Sequence, residues 1–133
     1  MREVHLRQIV VFTNLTLDGV MQAPGSQDED PRDGFQYGGW AAPFNAMASS
    51  EAISSMPATG AILFGRRTYE IFYDYWPKQT DSPYTELLNN TPKYVTSRTL
   101  KEPLPWMNST LLEGEASESV AMLKNQPGPD MMI

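Results

Sequence analysis

A short apolar run closed by a glycine and followed at once by a helical repeat constrains this chain more than any other stretch. Residues 61–64 read Ala-Ile-Leu-Phe, with no polar side chain among them. A half-exposed strand alternates, so an unbroken run of this kind predicts a strand buried on both faces in a parallel sheet. Gly65 breaks the run. Beyond it Tyr69, Phe72, Tyr73 and Trp76 recur at the spacing of one apolar helix face, and Pro77 stops the pattern. Arg66, Arg67 and Thr68 therefore stand at a strand-to-helix junction. A helix N-terminus offers unpaired N–H groups and a partial positive charge, and arginines placed there suit a phosphate. The competing reading makes them surface cations on an acidic protein.

The rest of the chain alternates in the same way. Residues 9–17 are rich in β-branched and apolar side chains and begin nearly continuous, which predicts a central strand whose C-terminal half meets a cavity. Asp18-Gly19 ends it. Residues 20–39 carry Pro24, Gly25, Pro31, Gly34, Gly38 and Gly39 among many acids, too long and too punctuated for a plain connection. That length suggests a functional lid, with a solvated disordered insertion as the alternative. In residues 43–56, Phe44, Met47, Ala48, Ala52, Ile53 and Met56 mark an amphipathic helix.

Ser82-Pro83 is a helix start, serine as N-cap and proline at the first helical position, with Tyr84, Leu87 and Leu88 as its apolar face. Residues 93–97 and 109–112 read as strands on either side of the Pro103-Leu104-Pro105-Trp106 turn. Ser117 opens a helix carrying Val120, Ala121 and Leu123, Pro127-Gly128-Pro129 ends it, and residues 131–133 begin another apolar strand. Strands interleaved with helices imply an α/β fold around a mainly parallel sheet, in one domain spanning residues 1–133. A strand normally runs about 5–6 residues. The expectation is therefore that C-terminal strands are missing, or that a partner completes the sheet.

Bulk properties narrow the function classes. A formal net charge of −6 argues against a general nucleic-acid binder, which needs a basic face to displace counterions. Without cysteine there is no disulfide, thiolate nucleophile or cysteine-based zinc site, and His5, in a polar N-terminal tail, is expected to be solvated and inert. No apolar run approaches the roughly 20 residues that cross a bilayer, and the N-terminus lacks a signal-peptide pattern. A cytoplasmic protein without membrane partners is expected.

Four segments together resemble the dihydrofolate reductase-like superfamily, in the group related to the C-terminal reductase domain of the bifunctional riboflavin-biosynthesis deaminase-reductase. They are Asn14-Leu15-Thr16-Leu17-Asp18-Gly19-Val20, then Gly60-Ala-Ile-Leu-Phe-Gly-Arg-Arg-Thr-Tyr69, then Asn90-Thr-Pro-Lys-Tyr-Val-Thr-Ser-Arg98, and residues 117–133. The resemblance implies a three-layer α/β fold and an NADPH-dependent reductase, of the riboflavin-biosynthesis type or a relative reducing another small heterocycle. It implies that the turns Gly65-Arg66-Arg67-Thr68 and Thr96-Ser97-Arg98 hold the cofactor's phosphates, and that a glycine-rich turn and further strands follow the strand beginning at Met131.

With both turns on one edge of a parallel sheet, they could grip two ends of a dinucleotide diphosphate, and Arg98, beside Ser97 and Thr99, suits a 2′-phosphate. Asn14, Thr16, Asp18 and Gly19, with the lid through Gln22, form the expected nicotinamide neighbourhood. Asn14 is a polar residue in an otherwise apolar strand, whose amide must find partners in the backbone or a ligand. A proton donor is harder to name. Asp18 and Glu51 are the candidates, Glu51 because dihydrofolate reductases hold the pterin with a carboxylate on the first helix and it is the only acid in residues 43–56. Glu51 otherwise faces solvent, and Asp18-Gly19 is also an ordinary turn dipeptide. Trp40 and Tyr69 could stack on a flat heterocycle or serve the core. Asp28, Glu29 and Asp30 read as solvated charges.

Alternatives to this reductase are dihydrofolate reduction itself, or an inactive fragment or nucleotide-binding module whose sheet is completed in a homodimer. Neither the P-loop nor the Gly-x-Gly-x-x-Gly pattern occurs.

Overall fold

A computed structural model describes residues 6–44 and 60–133. The described residues fall into two compact units, 6–11 with 60–133, and 12–44. The larger unit is built on five parallel strands, β1 (Ile9–Val10), β2 (Ala61–Gly65), β3 (Lys93–Thr96), β4 (Ser109–Leu112) and β5 (Met131–Met132), in the order β1-β5-β2-β3-β4. Three helices accompany them: α1 (Arg66–Tyr75), α2 (Pro83–Asn90) and α3 (Ala116–Lys124).

The apolar run behaves as its composition demands. Ala61, Ile62, Leu63 and Phe64 are all buried, because β2 lies between β5 and β3 and is covered on both faces. Ile62 and Phe64 join Tyr69 of α1, Leu88 of α2, Val95 and Trp106 in one cluster, while Ala61 packs with Leu123 of α3 and Met131. Each fully buried large side chain contributes about 1.5–3 kcal/mol relative to exposure. Helices thus pack against both faces, compatible with a three-layer α/β arrangement. Gly65, expected to break the strand, is its last residue: with φ −78° and ψ 159° it is extended and pairs with Thr96.

Local signals elsewhere hold. Ser82 Oγ accepts from the Tyr84 amide at 3.3 Å, with Pro83 in the first turn. α1 ends at Tyr75 and tightens into a 3-10 turn, Trp76–Lys78, around Pro77. α3 begins one residue before the expected Ser117, because Gly114 turns the chain at φ 84° and the Glu115 carbonyl accepts from Glu118 and Ser119 at 3.1 and 2.9 Å. It ends at Lys124, ahead of Pro127.

The central strand expected over residues 9–17 is not formed. β1 covers two residues and lies at the sheet edge, paired only with β5. The ladder runs Ile9↔Met131 and Val10↔Met132 and closes with the Ile133 amide on the Val10 carbonyl at 3.0 Å. Beyond Val10 the described residues supply no strand partner, and β-branched content makes a strand only where a partner accepts its hydrogen bonds. Val11, Phe12, Leu15 and Leu17 are exposed. Asn14 consequently lies in irregular backbone rather than in a buried strand.

The helix expected over residues 43–56, with Glu51, lies outside the described residues apart from Pro43 and Phe44, which belong to a 3-10 turn, Ala42–Phe44. His5 also lies outside them. Among the described residues, no helix is long and apolar enough to cross a membrane.

Candidate functional site

Parallel pairing aligns the C-terminal ends of three neighbouring strands, Gly65 opposite Thr96 and Thr96 opposite Leu112. The chain leaves each strand on the same sheet edge, where ligands meet parallel α/β sheets. Gly65-Arg66-Arg67-Thr68 follows β2, Ser97-Arg98-Thr99 follows β3, and Glu113-Gly114-Glu115 follows β4.

The first two turns touch. Arg66 Nη1 donates to Thr99 Oγ1 at 2.8 Å, and Arg66 Nε lies 3.7 Å from Glu70 Oε2 one helical turn on. Ser97 shapes the second turn, its hydroxyl oxygen accepting from the amides of Thr99 at 3.1 Å and Leu100 at 3.0 Å. Arg98 Nη2 stands 3.7 Å from Glu115 Oε2. Arg67 and Thr68 are exposed in the first turn of α1.

Gly65 gives α1 no side-chain cap, and its first turn holds two arginines and no acid. A cation at a helix N-terminus opposes the macrodipole by about 0.3–1 kcal/mol, so this choice weakens the helix locally. The same uncapped amides and cations suit a bound anion, and local conflicts of this sort are expected at functional positions. A Cβ added at Gly65 would meet nothing within 4 Å, so the space above the turn is open.

Residues 12–44 form their own hydrogen-bonded unit. The Thr16 amide donates to the Val20 carbonyl and Gly19, at φ 91°, donates to the Thr16 carbonyl, each at 3.0 Å. The Thr16 hydroxyl and the backbone of Asp18 hold the Asp18 carboxyl below the usual carboxylate range. Gln22 Nε2 donates to the carbonyls of Asp30 at 3.0 Å and Arg32 at 2.9 Å, and the Gln22 carbonyl accepts from Trp40 Nε1 at 2.9 Å. Of the residues expected at the substrate, Gln22 and Trp40 make hydrogen bonds within their own loop, and Glu51 lies outside the described residues.

That loop is held by hydrogen bonds of its own. Glu29 Oε2 accepts from the amides of Gly25 at 2.6 Å and Ser26 at 3.2 Å, and Asp30 pairs with Arg32, Nε to Oδ1 being 2.6 Å. Glu29 and Asp30, expected as solvated charges, are half-buried and organise backbone and pair a cation. Gly38 approaches Gln27 so closely that a Cβ would sit 2.2 Å from the Gln27 carbonyl oxygen.

Tyr69, weighed as a stacking platform, is core: it is 1% exposed, and its hydroxyl oxygen accepts from the Trp106 amide at 3.1 Å. Lys93 was unremarked in the sequence and is fully buried. Its ammonium donates to the carbonyls of Leu88 at 2.6 Å, Thr91 at 2.8 Å and Asn89 at 3.3 Å, closing the C-terminus of α2, and lies 4.6 Å from the centre of the Trp106 ring. Glu115 was also missed. The strand-end rule that picked out Arg66 and Arg98 applies equally to the turn after β4.

Among the described residues no group of three His, Cys, Asp or Glu side chains gathers as a metal would require. A cleft of about 660 Å³ beside α2, lined by Asp81, Ser82, Glu86, Asn90 and Met107 among others, contains none of the candidate residues. With acids and no cation among its polar groups, it lacks the charge that would hold a phosphate. Comparison with protein-family models and with curated proteins finds no match for this chain.

Proposed function

We propose that the protein is a pyridine-nucleotide-dependent reductase of dihydrofolate reductase-like fold, related to the riboflavin-biosynthesis reductases, that holds NADPH by its phosphates across the first two turns. The observation that carries this reading is the Arg66–Thr99 hydrogen bond, which ties together the turns after two adjacent parallel strands. An uncapped helix N-terminus, the open space at Gly65 and the arginines Arg66, Arg67 and Arg98 fit a dinucleotide's phosphates in charge and in donor type.

NADPH supplies the hydride, and the protein's share is positioning and exclusion of water. Arg66 holds Thr99 in place and presents the remaining N–H groups of its fork, while the first amides of α1 complete the donor set. Arg98 takes the 2′-phosphate. The acceptor in this reading is a small flat heterocycle, and Glu51 enters as its proton donor on the resemblance alone.

The test is a fluorescence titration of NADPH into the wild-type chain and its R66A, R67A and R98A variants. Loss of about ten- to hundredfold in affinity is expected for R66A, the range for hydrogen bonds to charged groups. Unchanged affinity in all three variants overturns the phosphate clamp.

A further inference from the structure

The turn after β4 brings a carboxylate to the arginine that serves the nucleotide's 2′ position. Glu115 Oε2 lies 3.7 Å from Arg98 Nη2, with both side chains largely exposed, 64% and 84%. Its backbone carbonyl starts α3, but its side chain makes no cap bond, so the carboxylate has no structural duty within its own helix. Gly114 at φ 84° with open space around it swings Glu115 back toward the β3 turn.

In dinucleotide sites a carboxylate accepts from an unmodified ribose 2′-hydroxyl, whereas an arginine pairs with a 2′-phosphate. Here the two stand side by side. A phosphate dianion approaching Arg98 must displace Glu115 and meets its repulsion; a 2′-hydroxyl finds an acceptor ready.

We propose that Glu115 is a specificity-determining residue, holding Arg98 back from the 2′-phosphate of NADPH and accepting from the 2′-hydroxyl of NADH, so that the site takes both nucleotides. This rests on the reductase reading above. Glu115→Gln removes the charge and keeps the size, while Glu113→Gln removes an equal charge from the same turn and leaves the Arg98–Glu115 pair in place.

Titration of the full chain with NADPH and with NADH, for wild type, E115Q and E113Q, tests the inference. Wild type is expected to bind both, and E115Q to shift preference toward NADPH by about fivefold, the scale of one exposed charge pair. E113Q is expected to leave the ratio unchanged. An unaltered ratio in E115Q, or an equal shift in E113Q, overturns the role of Glu115 while leaving the reductase reading intact. A wild-type chain that binds neither nucleotide overturns that reading itself.

Discussion

Arg66 Nη1 donates to Thr99 Oγ1 over 2.8 Å, linking the first residue of α1 to the turn that follows the neighbouring strand. The pairing of Gly65 with Thr96 places these groups together although they are far apart in the chain. Two turns that each look like a minor basic feature become one donor surface.

In the proposed clamp the guanidinium fork, and not charge alone, is what holds the phosphates. Arg66→Lys keeps the cation but cannot hold Thr99 and a phosphate with one planar group. Its NADPH affinity is expected to fall nearly as far as that of R66A, with an unchanged circular dichroism spectrum because the side chain is 42% exposed. Wild-type affinity in R66K would mean that net charge suffices.

Gly65 separates the demands of the protein from those of the ligand. Its backbone is compatible with alanine and a Cβ there meets no atom within 4 Å. Gly65→Ala should leave the urea midpoint nearly unchanged, a gain of about 0.4–1 kcal/mol through the unfolded chain being offset by alanine's poorer fit at the N-cap. On the proposed reading calorimetric NADPH affinity should fall, since the methyl group would occupy the space assigned to the phosphates. Equal binding in both proteins would remove Gly65 from the site.

Lys93 gives stability a pH dependence of predictable sign. Burial lowers its ammonium to about 8, below the value near 10.4 of an unfolded chain. Below pH about 8 both states carry the proton, and the cost of burying the charge is present in full. Between about 8 and 10.4 the folded protein releases the proton while the unfolded chain keeps it, so this residue's contribution rises with pH. Urea midpoints from pH 7 to 10 should show the stability difference, wild type minus K93M, growing across that interval. A flat difference would place the Lys93 ionisation at its ordinary position.

Tyr69 tests the core. Tyr69→Phe preserves the ring packed between Phe64 and Trp106 but leaves the buried Trp106 amide without its acceptor. A loss of about 1–3 kcal/mol in urea unfolding is expected, the usual cost of an orphaned buried donor. An unchanged midpoint would show that another group or water satisfies the amide.

Short-range patterns carried much of the fold. The burial of residues 61–64, the Ser82 cap and the bounds of β4 follow from signals within a few residues, because capping, periodicity and the absence of polar side chains act locally. Residues 9–17 failed by the same measure. Their composition suits a strand, but the ladder they would join offers partners only to Ile9 and Val10, and pairing is a property of the neighbour. The loop acids misled for a related reason: Glu29 and Asp30 look like surface charges until Gly25, Ser26 and Arg32 fold back on them.

By itself the sequence determined that the chain alternates strand and helix, that Arg66, Arg67 and Arg98 stand at strand ends, and that these residues include no thiol. Only the tertiary structure decided that β3 lies beside β2 and β4 beside β3, which sets Arg66 against Thr99 and Arg98 against Glu115. It also decided that Lys93 is a buried helix cap and Gln22 a strut within its own loop. Dihedral preference and periodicity reach a few residues along the chain, whereas the contacts that turn a cation or an amide into part of a site cross tens of residues and exist only once the sheet has formed.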